Sequence, residues 1–159
     1  MHILVECFAD TLFVELLGYK CNADHSNIGN VAKRMKMQFV GEKVLGIADN
    51  DPTLPLYFDE FSELYKNKSF CIRYFKHKTL KNRFLILINP DIEGLIIRLE
   101  QESKTKAFAK TKAKLAELTK THTVKANKRL VTHLQNLIAK NPPSIAFLRK
   151  CINEATKAK

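Results

Sequence analysis

No apolar run in this chain of 159 residues approaches the length needed to span a bilayer, and its first residues lack the pattern of a secretory signal. These absences predict a soluble, cytoplasmic protein with no membrane partner. None of the four cysteines, Cys7, Cys21, Cys71 and Cys151, belongs to a CxxC pair, so free thiols in a reducing compartment are expected rather than disulfides. Cys21 and His25 could share a metal, but no second ligand pair stands near them. There is no Gly-x-x-x-x-Gly-Lys loop, which argues against ATP binding by a P-loop, and no GxGxxG. The histidines (His2, His25, His77, His122, His133) are too scattered to suggest a triad or a zinc site; His77, in the basic turn Lys76-His77-Lys78, could meet phosphate, an exposed turn residue being the plainer reading. No internal repeat is visible.

Acids are scarce in one part of the chain only. Residues 1–100 carry 13 Lys/Arg and 13 Asp/Glu, whereas residues 101–159 carry 14 Lys/Arg against 3 Asp/Glu, so the whole formal charge of +11 resides in the last third. Such asymmetry points to a polyanionic partner, most often nucleic acid; a solvated, lysine-rich helical surface is the plainer reading. The hydrophobic fraction of 45% is ordinary for a folded domain, and the length suits one domain with a small appendage.

The apolar pattern predicts strands over residues 2–6, 19–22, 43–48, 70–75 and 84–88, and helices over 10–17, 56–65 and 92–99. A further helix carries Ile28, Val31 and Met35 behind the capping pair Ser26-Asn27. Residues 77–82 read as a polar turn. The resulting order β-α-β-α-β-α-β-β-α favours a three-layer α/β domain over residues 1–100 with a mainly parallel sheet. Residues 101–159 are expected to form a basic helical appendage packed on it. Its helices run over 104–120, with Phe108, Leu115 and Leu118 as a thin apolar stripe, over 124–139, and from Asn141-Pro142 onward with Ile145, Leu148 and Ile152 on one face.

Against that frame the acids stand out. Asp49-Asn50-Asp51 ends the apolar run Val44-Leu45-Gly46-Ile47-Ala48, and Glu6 ends Ile3-Leu4-Val5. Carboxylates crowded at a strand end repel one another unless a cation or a shared proton intervenes, and hard cations take oxygen ligands of this kind. If the two strands are neighbours, their acids converge where α/β sheets gather functional groups. A turn is the alternative use of Asp-Asn-Asp-Pro, and the helix dipole is an alternative explanation of Asp10 and Glu93.

These segments resemble the TOPRIM fold, in particular its small OLD-type nuclease branch. Leu4-Val5-Glu6-Cys7-Phe8-Ala9-Asp10 is similar to the first motif, with Cys7 in place of the usual glycine. Gly46-Ile47-Ala48-Asp49-Asn50-Asp51 resembles the second, without its common trailing glycine. Ile28-Gly29-Asn30-Val31-Ala32 is similar to the start of the middle helix, and Asn89-Pro90-Asp91-Ile92-Glu93-Gly94 to a strand end followed by a helix-opening glutamate. Thr53 stands where topoisomerases have a third aspartate. The resemblance, over residues 2–100, implies a Rossmann-like, TOPRIM-like sheet and a nuclease using Mg2+ or Mn2+. Asp49, Asp51 and Glu6 would hold the metal, Glu6 alternatively acting as general acid or base, and Asp10 and Glu93 would be auxiliary. Lys104, Lys106, Lys110, Lys112 and Lys114, with Lys125, Lys128 and Arg129, would then bind the nucleic-acid backbone, DNA ahead of RNA. A homo-oligomer or a partner protein is compatible with this reading. Two alternatives remain: a non-catalytic nucleic-acid-binding or assembly module, and a haloacid-dehalogenase-like phosphatase in which Asp49, opening Asp-x-Asp-x-Thr, attacks phosphorus.

Overall fold

The computed structural model describes residues 1–23, 27–65, 71–119 and 123–158. His25, Ser26, Phe70 and His122 therefore lie outside the described residues. The chain forms an α/β protein around one mixed sheet. Its strands are β1 (His2–Val5), β2 (Asn22–Ala23), β3 (Val44–Asp49), β4 (Phe61–Tyr65), β5 (Ile72–His77) and β6 (Arg83–Ile88). Five of them lie in the order β1-β3-β6-β5-β4, and the two-residue β2 extends the edge beside β1. β2, β1, β3 and β6 run parallel; β5 is antiparallel to both β6 and β4. Six α-helices are found among the described residues: α1 (Phe8–Leu16), α2 (Ile28–Met37), α3 (Ile92–Glu102), α4 (Lys112–Thr119), α5 (Lys128–Ala139) and α6 (Pro143–Lys157).

The sheet is buried on both faces, and side-chain alternation assigns each face. Phe84, Ile86 and Ile88 of β6, with Leu45 and Ile47 of β3, join the larger cluster beneath α1, α3, α5 and α6. Leu85 and Leu87, with Val44 and Ala48, face α2 and a 3-10 turn at Leu56–Glu60. Gly46 lets α2 approach: a Cβ there would lie 2.4 Å from Met35 Sδ and 3.3 Å from Val31 Cγ1. The larger cluster runs from Ile3 to Ala155, and residue 100 falls inside α3, so the basic third shares its core with the sheet.

Three expectations are corrected. Residues 56–65 are not a helix but a 3-10 turn followed by β4. Leu56 and Leu64, which supplied half of the helical spacing, are exposed, and Phe61 and Tyr65 pack inward on opposite faces of the sheet, across a bulge at Glu63/Tyr65. The added strand makes β4-β5-β6 an antiparallel meander, so the sheet is mixed where a mainly parallel one was expected. Residues 104–111 are not helical either: Lys104 has φ +49°, and Phe108 N donates to the Glu100 carboxylate at 2.8 Å instead of to a helical carbonyl. The helix starts only at Lys112, with the Thr111 hydroxyl accepting from Lys114 N. Finally, α6 is capped by Pro142 with no side-chain bond, Asn141 being at φ +46°.

His77 is likewise not an exposed turn residue. It ends β5, is buried, accepts the N–H groups of Thr79 and Leu80 on Nδ1, and meets Glu60 through Nε2 at 3.1 Å. Its role is to hold a turn.

Candidate functional site

The parallel register determines where the acids fall. Val5 pairs with Ile47 and Asp49 with Ile88, so Glu6 leaves β1 one residue short of Asp49 at the carboxyl edge of the sheet. Three helices begin at this edge, and each meets an acid. Asp10 lies in the first turn of α1, where its Oδ2 accepts from Cys7 N at 3.2 Å while Cys7 Sγ accepts from Asp10 N. The backbone N–H of Ile28, the first residue of α2, lies toward Glu6 and holds its pKa down slightly. Asp49 Oδ1 accepts from Ile92 N, the first residue of α3, at 2.9 Å. The positive ends of three helix dipoles thus face the acids, which offsets part of the cost of holding them together. Cys7 stands at an extended φ of −127°, so nothing in the backbone requires the usual glycine.

The acids are close enough to affect one another. Glu6 Oε2 accepts from Asp49 N at 3.2 Å. Burial pushes the Asp49 carboxyl well above the ordinary range, and the charges of Asp10, Glu6, Glu93 and Asp91 push it further. Asp10 is raised in the same direction, first by burial and then by Glu6 and Glu93, with the Cys7 contacts pulling back. Glu6 is raised by burial and by Asp51 and lowered by the Asp49 and Ile28 N–H groups. Asp10 is 1% exposed, and its Oδ1 is a buried oxygen without a hydrogen-bond partner. Asp51 is exposed at the rim. Glu93 is buried and accepts a short hydrogen bond from Thr119 Oγ1. Burial drives the Cys7 thiol far above its ordinary pKa, which removes it as a nucleophile.

This donor set suits a hard divalent cation in its chemistry: oxygen ligands, like charges crowded out of water, and one oxygen left unsatisfied. In its placement it does not close on one point. Among the described residues, no three His, Cys, Asp or Glu side chains are grouped so as to hold a metal ion. Glu6, Asp10 and Asp49 each have one oxygen bonded to a backbone N–H.

Several neighbours escape a reading of motifs alone. Arg73 stands at this edge because β5 is antiparallel to β6 and pairs it with Leu87. Its guanidinium forks onto Glu63 at 3.0 and 3.2 Å, contacts Asn50 Oδ1 at 3.5 Å and stacks on Phe75. Asn50 in turn donates to Asn89 Oδ1 at 2.9 Å. The antiparallel β5-β6 register was the missing signal, since it alone places Arg73 opposite Leu87 at this edge.

The candidate backbone-binding residues divide into groups. Lys104, Lys106, Lys110 and Lys114 are exposed. Lys112 pairs with Asp91, the cap of α3, and so borders the acidic site. Lys125 pairs with Glu15 at 2.7 Å. Lys128 and Arg129 open α5 and line a surface groove. No helix is long and apolar enough to cross a membrane among the described residues.

Comparison with protein-family models, curated proteins and solved structures gives no match for this chain.

Proposed function

We propose that the chain is a TOPRIM-like, divalent-metal-dependent nuclease that cleaves phosphodiester bonds in nucleic acid. The observation that carries this reading is the approach of the Glu6 carboxylate to within 3.2 Å of the Asp49 backbone, at the edge where α1, α2 and α3 begin. Glu6, Asp49 and Asp51 would hold Mg2+ or Mn2+, with Asp10 and Glu93 behind them. When bound, the ion would neutralise phosphate charge and lower the pKa of a water molecule. The chain's own residues supply the rest. Glu6, whose carboxyl is raised chiefly by burial, is the alternative general acid or base where it does not hold the ion. Arg73, whose Nε and Nη2 are committed to Glu63, can meet a phosphate oxygen through Nη1. Lys112, already at the rim, can carry the backbone across from the basic third. Incubation of the full chain with plasmid, single-stranded DNA and RNA in Mg2+ or Mn2+ tests the proposal. Asp49→Asn with Asp51→Asn should lower cleavage by at least about 100-fold; unchanged cleavage would remove this site from the chemistry.

A second reading, a nucleic-acid-binding module without turnover, is favoured by the ungrouped carboxylates. It predicts metal-independent binding that weakens steeply with salt. The phosphatase alternative is less well supported, because a half-buried, raised Asp49 carboxyl with one oxygen committed to Ile92 N is a poor nucleophile.

A further inference from the structure

The groove on α5 is more than a run of positive charge. Lys128, Arg129, Thr132, His133 and Asn136 line a cavity of about 410 Å³ together with Phe108, which arrives from the non-helical segment before α4. The spacings 128/132/136 and 129/133 place these α5 side chains on one face of the helix. One buried carboxylate builds the platform. Glu100 Oε1 accepts from Phe108 N at 2.8 Å and pairs with His133 Nε2 at 2.8 Å. The two rings are thereby held side by side, with centroids 5.1 Å apart and planes tilted by 38°. Both are only partly buried, so aromatic surface faces the groove.

The cations are unusual for their position. Lys128 and Arg129 occupy the first turn of α5, which holds no acid. The dipole disfavours cations there, so they do not serve the helix; an anion at this point would gain from both the side chains and the dipole. Among the described residues, neither cation pairs with a carboxylate. A phosphate-binding end, a ring platform and two polar side chains, Thr132 and Asn136, match the parts of one nucleotide.

We propose that this groove is a nucleotide-binding subsite for single-stranded nucleic acid. A base stacks on Phe108 and His133, its flanking phosphate meets Lys128 and Arg129, and Asn136 and Thr132 face the base edge. This rests on the nucleic-acid reading above but not on cleavage. Glu100, which anchors the platform, lies eight residues along α3 from Ile92 at the acidic edge. That is about 12 Å of helix, a span one strand can cover while engaging both sites.

The test measures binding by the full chain in EDTA, where no cleavage occurs. The probes are a short oligothymidylate, an abasic strand of the same length and a duplex, with ribose versions of the first to separate RNA from DNA. The base-bearing strand should bind roughly 5- to 150-fold more tightly than the abasic one, the range for stacking one base on an aromatic platform. Phe108→Leu, which keeps apolar bulk but removes one of the two rings, should reduce that preference several-fold. Lys128→Gln with Arg129→Gln should weaken all probes. Equal affinity for base-bearing and abasic strands, or a preference undiminished by Phe108→Leu, would overturn the subsite. Should Phe108→Leu fail to fold, photocrosslinking of a bromouracil strand to the unaltered protein decides: adducts on Phe108, His133 or Asn136 support the groove, and adducts confined elsewhere refute it. Cleavage without base preference would sink the subsite alone; base preference without cleavage would sink the nuclease alone.

Discussion

The acidic edge and the basic third use charge in opposite ways. At the edge, Asp10 and Glu93 are buried, Asp49 and Glu6 are half-buried, and each of Glu6, Asp10 and Asp49 is bonded to a backbone N–H of another element or the residue before a helix. In the basic third, Lys104, Lys106, Lys110 and Lys114 stand in solvent on a loop and a short helix. Burial raises the free energy of the acids and narrows what can relieve it: a proton or a cation. Exposure costs the lysines little and leaves them able to meet any polyanion. The first arrangement constrains what can sit beside the acids; the second leaves charge free in solvent.

Rigidity beneath the edge gives the largest expected effect. Gly46 sits within β3, three residues before Asp49, under Met35. Gly46→Val should destabilise the chain by about 1–3 kcal/mol through overpacking. Thermal unfolding would read this as a fall of several degrees, at about 2–4 °C per kcal/mol for a chain of this size. Met35→Ala in the same chain should recover part of the loss. No recovery would mean that α2 does not press on β3 as described. A comparably large bulky substitution at Lys110 should move the transition hardly at all, because that side chain is exposed.

The charge contrast itself is tested by pH. For a carboxyl whose pKa is higher in the folded than in the unfolded state, the folded state binds more protons between the two values, so stability falls as pH rises through that window. Asp49 and Asp10 are both raised, and an unfolded aspartate titrates near 4. Unfolding temperature should therefore decline from about pH 4–5 through neutrality. Asp10→Asn keeps an acceptor for Cys7 N and removes the charge beside Glu6 and Glu93. It should raise stability by about 1 kcal/mol at pH 8 and change little near pH 4. Mg2+ should stabilise the unaltered chain more at pH 8 than at pH 5, since it competes with the same protons. A flat profile for both proteins would mean the acids do not crowd one another.

How much of this was legible in the sequence depends on which forces set each element. β1, β3 and β6 are continuous apolar runs buried on both faces, and nothing competes with that pattern; Glu6 and Asp49 follow from where those runs stop. The capping Asn27 was equally local. The failures came where long-range contacts outweighed spacing. Leu56 and Leu64 imitate a helix but face solvent, and β4 exists because β5 offers it a ladder. Lys104 to Thr111 has good helix formers, yet Glu100 captures Phe108 N and the chain stays open. That single bond also creates the α5 groove, which no local pattern announces. Arg73 was missed for the same reason, since only the antiparallel register brings it to the acids.

Within the basic third, salt dependence separates bystanders from contacts. Lys106→Gln, Lys110→Gln and Lys114→Gln should each reduce the slope of log affinity against log salt by up to about 0.9 if the side chain meets duplex phosphate. Lys125 gives the smallest effect and the finest test. Its ammonium lies 2.7 Å from Glu15, and both side chains are about half exposed. An exposed pair of this kind contributes about 0–1 kcal/mol, so Lys125→Gln should barely alter the unfolding temperature. It should also barely alter duplex binding, because the Glu15 carboxylate already offsets the charge that phosphate would meet. Glu15→Gln makes the converse prediction: it releases Lys125 and should strengthen binding slightly at low salt, with the gain vanishing as salt screens it. If Lys125→Gln instead weakens binding as much as Lys110→Gln, the ion pair opens on contact with nucleic acid. The basic surface would then extend past the groove to α1 and the acidic edge, and the two regions would form one continuous track.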